Sequence, residues 1–143
     1  MSPTPRAYEY VHVVGFQDTN LVGNVYYVQP IAWQGRCREM FLRDEAPGVL
    51  DDLAQGLQLL TARVSCDYLA ELRVFDRVIV RMRLTAMALN RITLGFEYSR
   101  ADAGGEKLVA RGEQEIVFMR GETGGAVAAP IPEVLASALQ RYR

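Results

Sequence analysis

Long strand-like segments that follow a single amphipathic stretch are the feature that most limits how this chain can fold. Four segments of eight or more residues, rich in β-branched and aromatic side chains, occupy residues 59–72, 78–89, 92–100 and 108–120. Only the short polar or glycine-bearing breaks RVFD, NR and ADAGGE separate these four segments. We therefore predict long antiparallel strands that pair in sequence order, with few helices available to cover them.

One helix long enough to cover such a sheet precedes these strands, at residues 30–45. It begins at Pro30, a residue typical of the first helical position, and Ala46-Pro47-Gly48 ends it after about fifteen residues. Gln34 falls on a different face from the apolar stripe. Spacings of three and four residues define that stripe, which consists of Trp33, Cys37, Met40 and Phe41.

The remaining segments complete an α+β prediction for one domain over residues 1–143. Residues 7–17 alternate in polarity like a strand, and residues 18–24 contain turn formers. Residues 49–55 can form a short turn or helix, and residues 132–143 a final helix. The long helix should lie across the sheet, with the first strand inserted among the others. Apolar side chains on both faces of 78–89 predict that the outer face meets another subunit.

Composition and charge exclude several classes of protein. The 143 residues hold 16 basic and 17 acidic side chains, without the basic surplus expected of a nucleic-acid-binding protein. No apolar run is long enough to cross a bilayer, and residues 1–6 lack the features of a signal peptide, which predicts a cytoplasmic protein. Two cysteines and one histidine form no metal-binding motif, so we expect no metal and no cofactor.

Residues 15–45 carry a recognisable motif. The pattern F-x-D-x-D-x-x-G-x-V-x-Y, with a Trp on the following helix, is matched by Phe16, Asp18, Gly23, Val25, Tyr27 and Trp33. This segment resembles the hotdog-fold thioesterases of the 4-hydroxybenzoyl-CoA thioesterase type. The runs TNLVGNVYYV and WQGRCREMFLRD are most similar to thioesterases of enediyne polyketide biosynthesis. The resemblance implies a hotdog fold, an antiparallel sheet wrapped around one long central helix.

The chain departs from the general motif at Asn20, where most of these thioesterases carry a catalytic carboxylate. An amide cannot abstract a proton at neutral pH, but it can donate or accept hydrogen bonds. The enediyne-type resemblance implies a catalytic pair of Asn20 and Arg38, with Arg36 as the alternative arginine. It also implies that the backbone amide of Tyr27 polarises the thioester carbonyl.

Other roles stay open for several of these residues. Asn20 can instead bond its own loop, and Asp18 is either a substitute base or an acceptor of backbone N–H groups in the turn. We interpret His12 as a packed residue of the first strand. The resemblance further implies a substrate-binding set near the acyl or pantetheine channel, although an exposed strand explains the last two members equally well: Gly23, Val25, Thr61 and Arg63.

The resemblance implies hydrolysis of a polyketide thioester, a β-ketoacyl or β-hydroxyacyl polyene, from an acyl carrier protein. A released β-keto acid can then lose CO2 spontaneously. Hotdog relatives form dimers that pair, so we expect a homotetramer. Two alternatives remain: an acyl-CoA thioesterase of general metabolism, and a non-catalytic acyl-binding partner of a synthase. A dehydratase is disfavoured because its site usually employs a histidine with an acid.

Overall fold

An antiparallel sheet of six strands packs on one long helix in this computed structural model, which describes residues 6–143. The targeting expectation for residues 1–6 lies mostly outside the described residues. No helix within residues 6–143 is both long and apolar enough to span a bilayer. In chain order the elements are β1 (Tyr8–Val13), a 3-10 turn (Phe16–Asp18), α1 (Gln29–Glu45), α2 (Gly48–Ala54), β2 (Leu57–Tyr68), β3 (Arg77–Ala88), β4 (Arg91–Asp102), β5 (Gly105–Glu122), β6 (Gly125–Ala128) and α3 (Glu133–Gln140).

Strand order corrects two of our predictions. The order is β1-β3-β4-β5-β2, with β6 pairing with β5 as the second strand of a hairpin that we did not predict. All these pairs are antiparallel, and β3, β4 and β5 do pair in sequence order. The prediction of sequential pairing is wrong for β2, which pairs with β5 and not with β3. The prediction that β1 inserts among the others is also wrong, because β1 lies at an edge and pairs with β3.

The physical reason lies in the segment between β2 and β3, residues 69–76. It leaves the β5 side of the sheet, where the N–H groups of Leu69 and Ala70 both donate to the carbonyl of Val109. It ends beside β1, where the Phe75 N–H donates to the Val14 carbonyl at 2.7 Å. A crossover of this kind places β3 next to β1, so neither a hairpin between β2 and β3 nor an inserted β1 can form.

The first strand is shorter than predicted because its chain turns at Gly15. Beyond Val13 the backbone enters the 3-10 turn, where the Gly15 N–H donates to the Asp18 carboxylate at 2.9 Å. Asp18 therefore lies in this turn and not on a strand face. This turn delivers the chain to the beginning of α1.

Helix α1 confirms the predicted stripe and corrects one position. Trp33, Cys37 and Phe41 are buried against the sheet. Gln34, predicted on another face, is also fully buried, and its Nε2 donates to the Ser65 carbonyl at 3.0 Å. The sheet makes room for it at Gly112, since a Cβ there would lie only 2.4 Å from Gln34 Nε2. A glycine in β5 thus lets α1 approach the sheet closely.

Candidate functional site

A cavity of about 340 Å³ opens at the beginning of α1. It lies between the 20–27 loop, the crossover segment and the ends of β2, β4 and β5. Apolar and aromatic side chains form most of its wall, which is the usual character of a small-molecule site. The lining residues are Asn20, Asn24, Val25, Tyr26, Tyr27, Pro30, Tyr68, Ala70, Glu71, Leu72, Tyr98, Val109 and Ala110.

Tyr27 brings an unpaired backbone donor to this cavity. Within residues 6–143 its N–H group donates to no backbone or side-chain acceptor, whereas the N–H groups of Tyr26 and Gln29 are both bonded. The Tyr26 N–H donates to the Asp18 carbonyl at 2.8 Å, and the Gln29 N–H donates to the Tyr26 carbonyl at 2.9 Å. Because α1 begins at Gln29, the positive end of its dipole is close to Tyr27. The position favours a developing negative charge.

Asn20 lines the same cavity, and its side-chain amide is oriented by its own loop. The Val22 N–H donates to Asn20 Oδ1 at 3.0 Å. An N–H group can bond only the oxygen of the amide, so the Asn20 NH2 group is the end left without a partner among the described residues. The loop bond that we considered as an alternative role is therefore present, and it leaves the donor of Asn20 available.

Asp18 and His12 support the turn and do not line the cavity. Asp18 is buried, and its Oδ2 lies 2.9 Å from both the Gly15 nitrogen and His12 Nε2. On its other side His12 Nδ1 lies 3.1 Å from the Tyr10 hydroxyl, and the imidazole packs on Trp33 with ring centroids 4.5 Å apart. These contacts fit the structural roles considered for both residues.

Arg38 lies away from this cavity. It is nine residues beyond the start of α1, about 14 Å along the helix axis. Its Nη1 donates to Gln114 Oε1 at 3.1 Å and to Thr61 Oγ1 at 3.3 Å, and it borders a separate, very small cavity. Burial lowers its pKa from the ordinary value, which is so high that the guanidinium stays charged at neutral pH. One chain therefore does not bring Asn20 and Arg38 together.

The alternative arginine has an ordinary surface environment. Arg36 is exposed and pairs with Glu39 one helical turn away, at 3.2 Å. Such a pair contributes little to stability and leaves the side chain facing solvent. The half-buried contacts of Arg38 distinguish it from Arg36.

The four predicted substrate-binding residues do not lie together. Val25 lines the cavity, whereas Gly23 has a φ of +88° and closes the preceding turn through its N–H bond to the Asn20 carbonyl. Thr61 contacts Arg38, but a β-bulge after it places Arg63 opposite Glu115. Arg63 lines a groove of the other sheet face. That face carries ion pairs such as Arg81 with Glu106, at 2.8 Å.

Our sequence reasoning missed the two tyrosines that reach the beginning of α1 from the sheet. The Tyr68 hydroxyl donates to the Tyr27 carbonyl, and the buried Tyr98 hydroxyl donates to the Pro30 carbonyl at 2.6 Å. A tyrosine within a strand is usually interpreted as a packing residue, so no local pattern indicates these bonds. Within residues 6–143 no group of three metal-ligating side chains is gathered here or elsewhere.

Comparison with known proteins places this geometry in a family. Residues 14–139 match the family model of the thioesterase-like superfamily. The dynemicin thioesterase, whose crystal structures revealed induced-fit and allosteric effects upon polyene binding, is 44% identical with a TM-score of 0.93, covering 96% of this chain and 97% of that one. No curated protein matched.

More distant structures share the fold. A 1,4-dihydroxy-2-naphthoyl-CoA thioesterase from Synechocystis is 22% identical, with a TM-score of 0.81 over 94% of this chain and 96% of that one. The 4-hydroxybenzoyl-CoA thioesterase from Pseudomonas sp. strain CBS-3 is 17% identical, with a TM-score of 0.77 over 95% and 99%. These matches confirm the predicted hotdog fold, and the family supports a thioesterase activity. The chain belongs to the thioesterase-like superfamily.

Proposed function

We propose that the protein hydrolyses a polyketide thioester, a β-ketoacyl or β-hydroxyacyl polyene carried by an acyl carrier protein. The observation that carries this proposal is the largely apolar cavity at the beginning of α1, which is lined by Tyr27 and Asn20, two residues whose N–H and NH2 groups have no acceptor among residues 6–143. An extended unsaturated chain suits such a cavity, and two neutral donors suit a thioester oxygen. The likeness to the dynemicin thioesterase supports the substrate class.

The reaction needs no covalent enzyme intermediate. Water adds to the thioester carbon while the Tyr27 N–H and Asn20 Nδ2 donate to the oxygen that becomes negative. The intermediate then breaks its carbon–sulfur bond, releasing the acid and the carrier thiol, which takes up the proton lost by the water. A β-keto product can lose CO2 afterwards without help from the protein.

Arg38 can join this site only from a second copy of the chain. Among residues 6–143, β2 pairs with β5 on one side only, and most of its side chains are exposed. Its first half lies beside Arg38 through Thr61, and its last residue, Tyr68, contacts Tyr27. Antiparallel pairing of two β2 strands about a two-fold axis would bring the first half of one beside the end of the other. Each site would then contain Arg38 from one copy and Asn20 from the other.

We further propose that two such dimers form a homotetramer. Light scattering should give the mass of four 16.0 kDa chains. A stable monomer at micromolar concentration would contradict both the tetramer and the shared site.

Mixing two inactive variants tests the shared site. Asn20→Ala and Arg38→Ala should each lose about 100-fold in kcat. After unfolding and refolding together in equal amounts, half of the dimers should be mixed, and each of those should contain one intact site. The mixture should therefore recover about a quarter of the activity of the unmodified protein. If the mixture is no more active than the separate variants, the shared site is wrong. Either one chain supplies both residues to a site, or neither residue belongs to the site.

The choice of carrier is tested with one acyl group on two carriers. Mass spectrometry should show faster release from carrier protein than from coenzyme A, whereas the reverse would favour the acyl-CoA alternative. Binding without release would favour a non-catalytic role.

The absence of a catalytic base is tested at Glu71, the carboxylate that lines the cavity, with its Oε1 3.1 Å from Asn24 Nδ2. Glu71→Gln should retain hydrolysis. Loss of hydrolysis in this variant would contradict a mechanism without a carboxylate base.

A further inference from the structure

Tyr27 is fixed by hydrogen bonds on each side of its α-carbon. On its amino side, the peptide that carries its N–H is fixed because the Tyr26 carbonyl accepts the Gln29 N–H. On its carboxyl side, the Tyr27 carbonyl accepts a hydrogen bond from the Tyr68 hydroxyl. No other group in residues 6–143 donates to this carbonyl, so Tyr68 alone holds that second peptide plane.

We propose that Tyr68 is a positioning residue for thioester hydrolysis, whose hydroxyl holds the Tyr27 peptide so that the Tyr27 N–H faces the reacting carbonyl. This inference rests on the proposed function. The two peptide planes together define the backbone dihedral angles of Tyr27. Freeing one plane lets the N–H swing away from the position where an oxyanion forms, and such stabilisation depends steeply on geometry.

Three observations favour positioning over direct substrate binding. The Tyr68 hydroxyl donates its single proton to the Tyr27 carbonyl, so it has none left to donate to a substrate. Burial raises the pKa of Tyr68 to about 12, which keeps this proton in place through neutral and mildly alkaline pH. Tyr98 anchors the Pro30 carbonyl in the same way at 2.6 Å, so the helix beside Tyr27 is itself fixed to the sheet.

Tyr68→Phe tests the proposal because it removes only the hydroxyl and keeps the ring in the cavity wall. Tyr142→Phe is the matched control, since Tyr142 also uses its hydroxyl to hold α1, but at the opposite end through Glu45 Oε1 at 2.5 Å. For Tyr68→Phe we expect kcat to fall about tenfold while KM stays within about twofold. The control should keep both constants. Light scattering of both variants should show that the oligomer is unchanged.

Hydrogen–deuterium exchange provides a measurement that does not depend on turnover. The peptide covering residues 24–30 should exchange faster in Tyr68→Phe than in the unmodified protein, and at the unmodified rate in Tyr142→Phe. An unchanged kcat, or a loss that appears only in KM, would overturn the positioning role while leaving the proposed function intact. Unchanged exchange at residues 24–30 would also overturn it. If the unmodified protein releases no acid, the proposed function fails, and the exchange experiment still decides whether Tyr68 fixes this peptide.

Discussion

Tyrosine hydroxyls hold both ends of α1, but a cavity lies at the beginning of the helix and packed aromatic rings lie at its end. At its beginning, Tyr68 and Tyr98 bond backbone carbonyls and border a cavity of about 340 Å³. At its end, Tyr8 and Tyr142 bond the carboxylates of Asp44 and Glu45, each at 2.5 Å. Their rings fill the space around Phe41, with centroid distances of 5.3 and 5.7 Å.

The difference separates function from stability along one helix. At the beginning of α1, hydrogen bonds from the hydroxyls to carbonyls fix the backbone. The cavity and the unpaired Tyr27 N–H remain beside them. Rings on rings remove apolar surface from water and leave no room for a ligand. Changes at the end should therefore alter the free energy of unfolding, and changes at the beginning should alter the rate.

Phe41→Ala should have the largest effect. Phe41 is 1% exposed and touches both tyrosine rings, so its removal leaves a cavity at the centre of this cluster. We expect the free energy of unfolding to fall by about 3–5 kcal/mol, measured by denaturant titration. The fraction that remains folded should keep the KM of the unmodified protein. A changed KM with unchanged stability would contradict the separation of the two ends.

Asn20→Asp should have the next largest effect, on rate alone. The introduced carboxylate would still accept the Val22 N–H, so the loop is preserved, but when ionised it has no NH2 group to donate. We expect kcat to fall about 100-fold with an unchanged unfolding midpoint. Asn20→Ala, which loses the loop bond as well, should be no more active. Faster hydrolysis by Asn20→Asp would show that the site works better with a base than with a donor.

Local patterns predicted the parts of this molecule that depend on neighbouring residues. The spacing of Trp33, Cys37 and Phe41 located α1 and its buried face, since a helix places those positions together whatever else the chain does. The resemblance placed Asn20 and Tyr27 close together, and both line the cavity. The burial of Gln34 was not predicted because it depends on Gly112, a residue 78 positions away in the chain.

Features that depend on distant parts of the chain were not predictable in this way. The partner of β2 depends on the path of residues 69–76, and we had predicted residues 69–72 as strand although β2 ends at Tyr68. The roles of Tyr68 and Tyr98 depend on which strand ends beside α1. For Arg38 the sequence indicated a helix position, but only the fold shows about 14 Å of helix between it and the cavity.

The smallest predicted effect is the acid sensitivity at the end of α1. Hydrogen bonds from Tyr142 and Arg141 lower the pKa of Glu45 below its ordinary value. A carboxylate whose pKa is lowered by folding stabilises the protein above its unfolded pKa of about 4, and this contribution disappears as the pH falls through the folded value. The difference in unfolding midpoint between the unmodified protein and Glu45→Gln should therefore be present at about pH 6 and shrink as the pH falls below the ordinary carboxyl pKa of about 4 and Glu45 becomes protonated. A difference that persists at low pH would mean that shape and packing, not charge, hold this end of the helix.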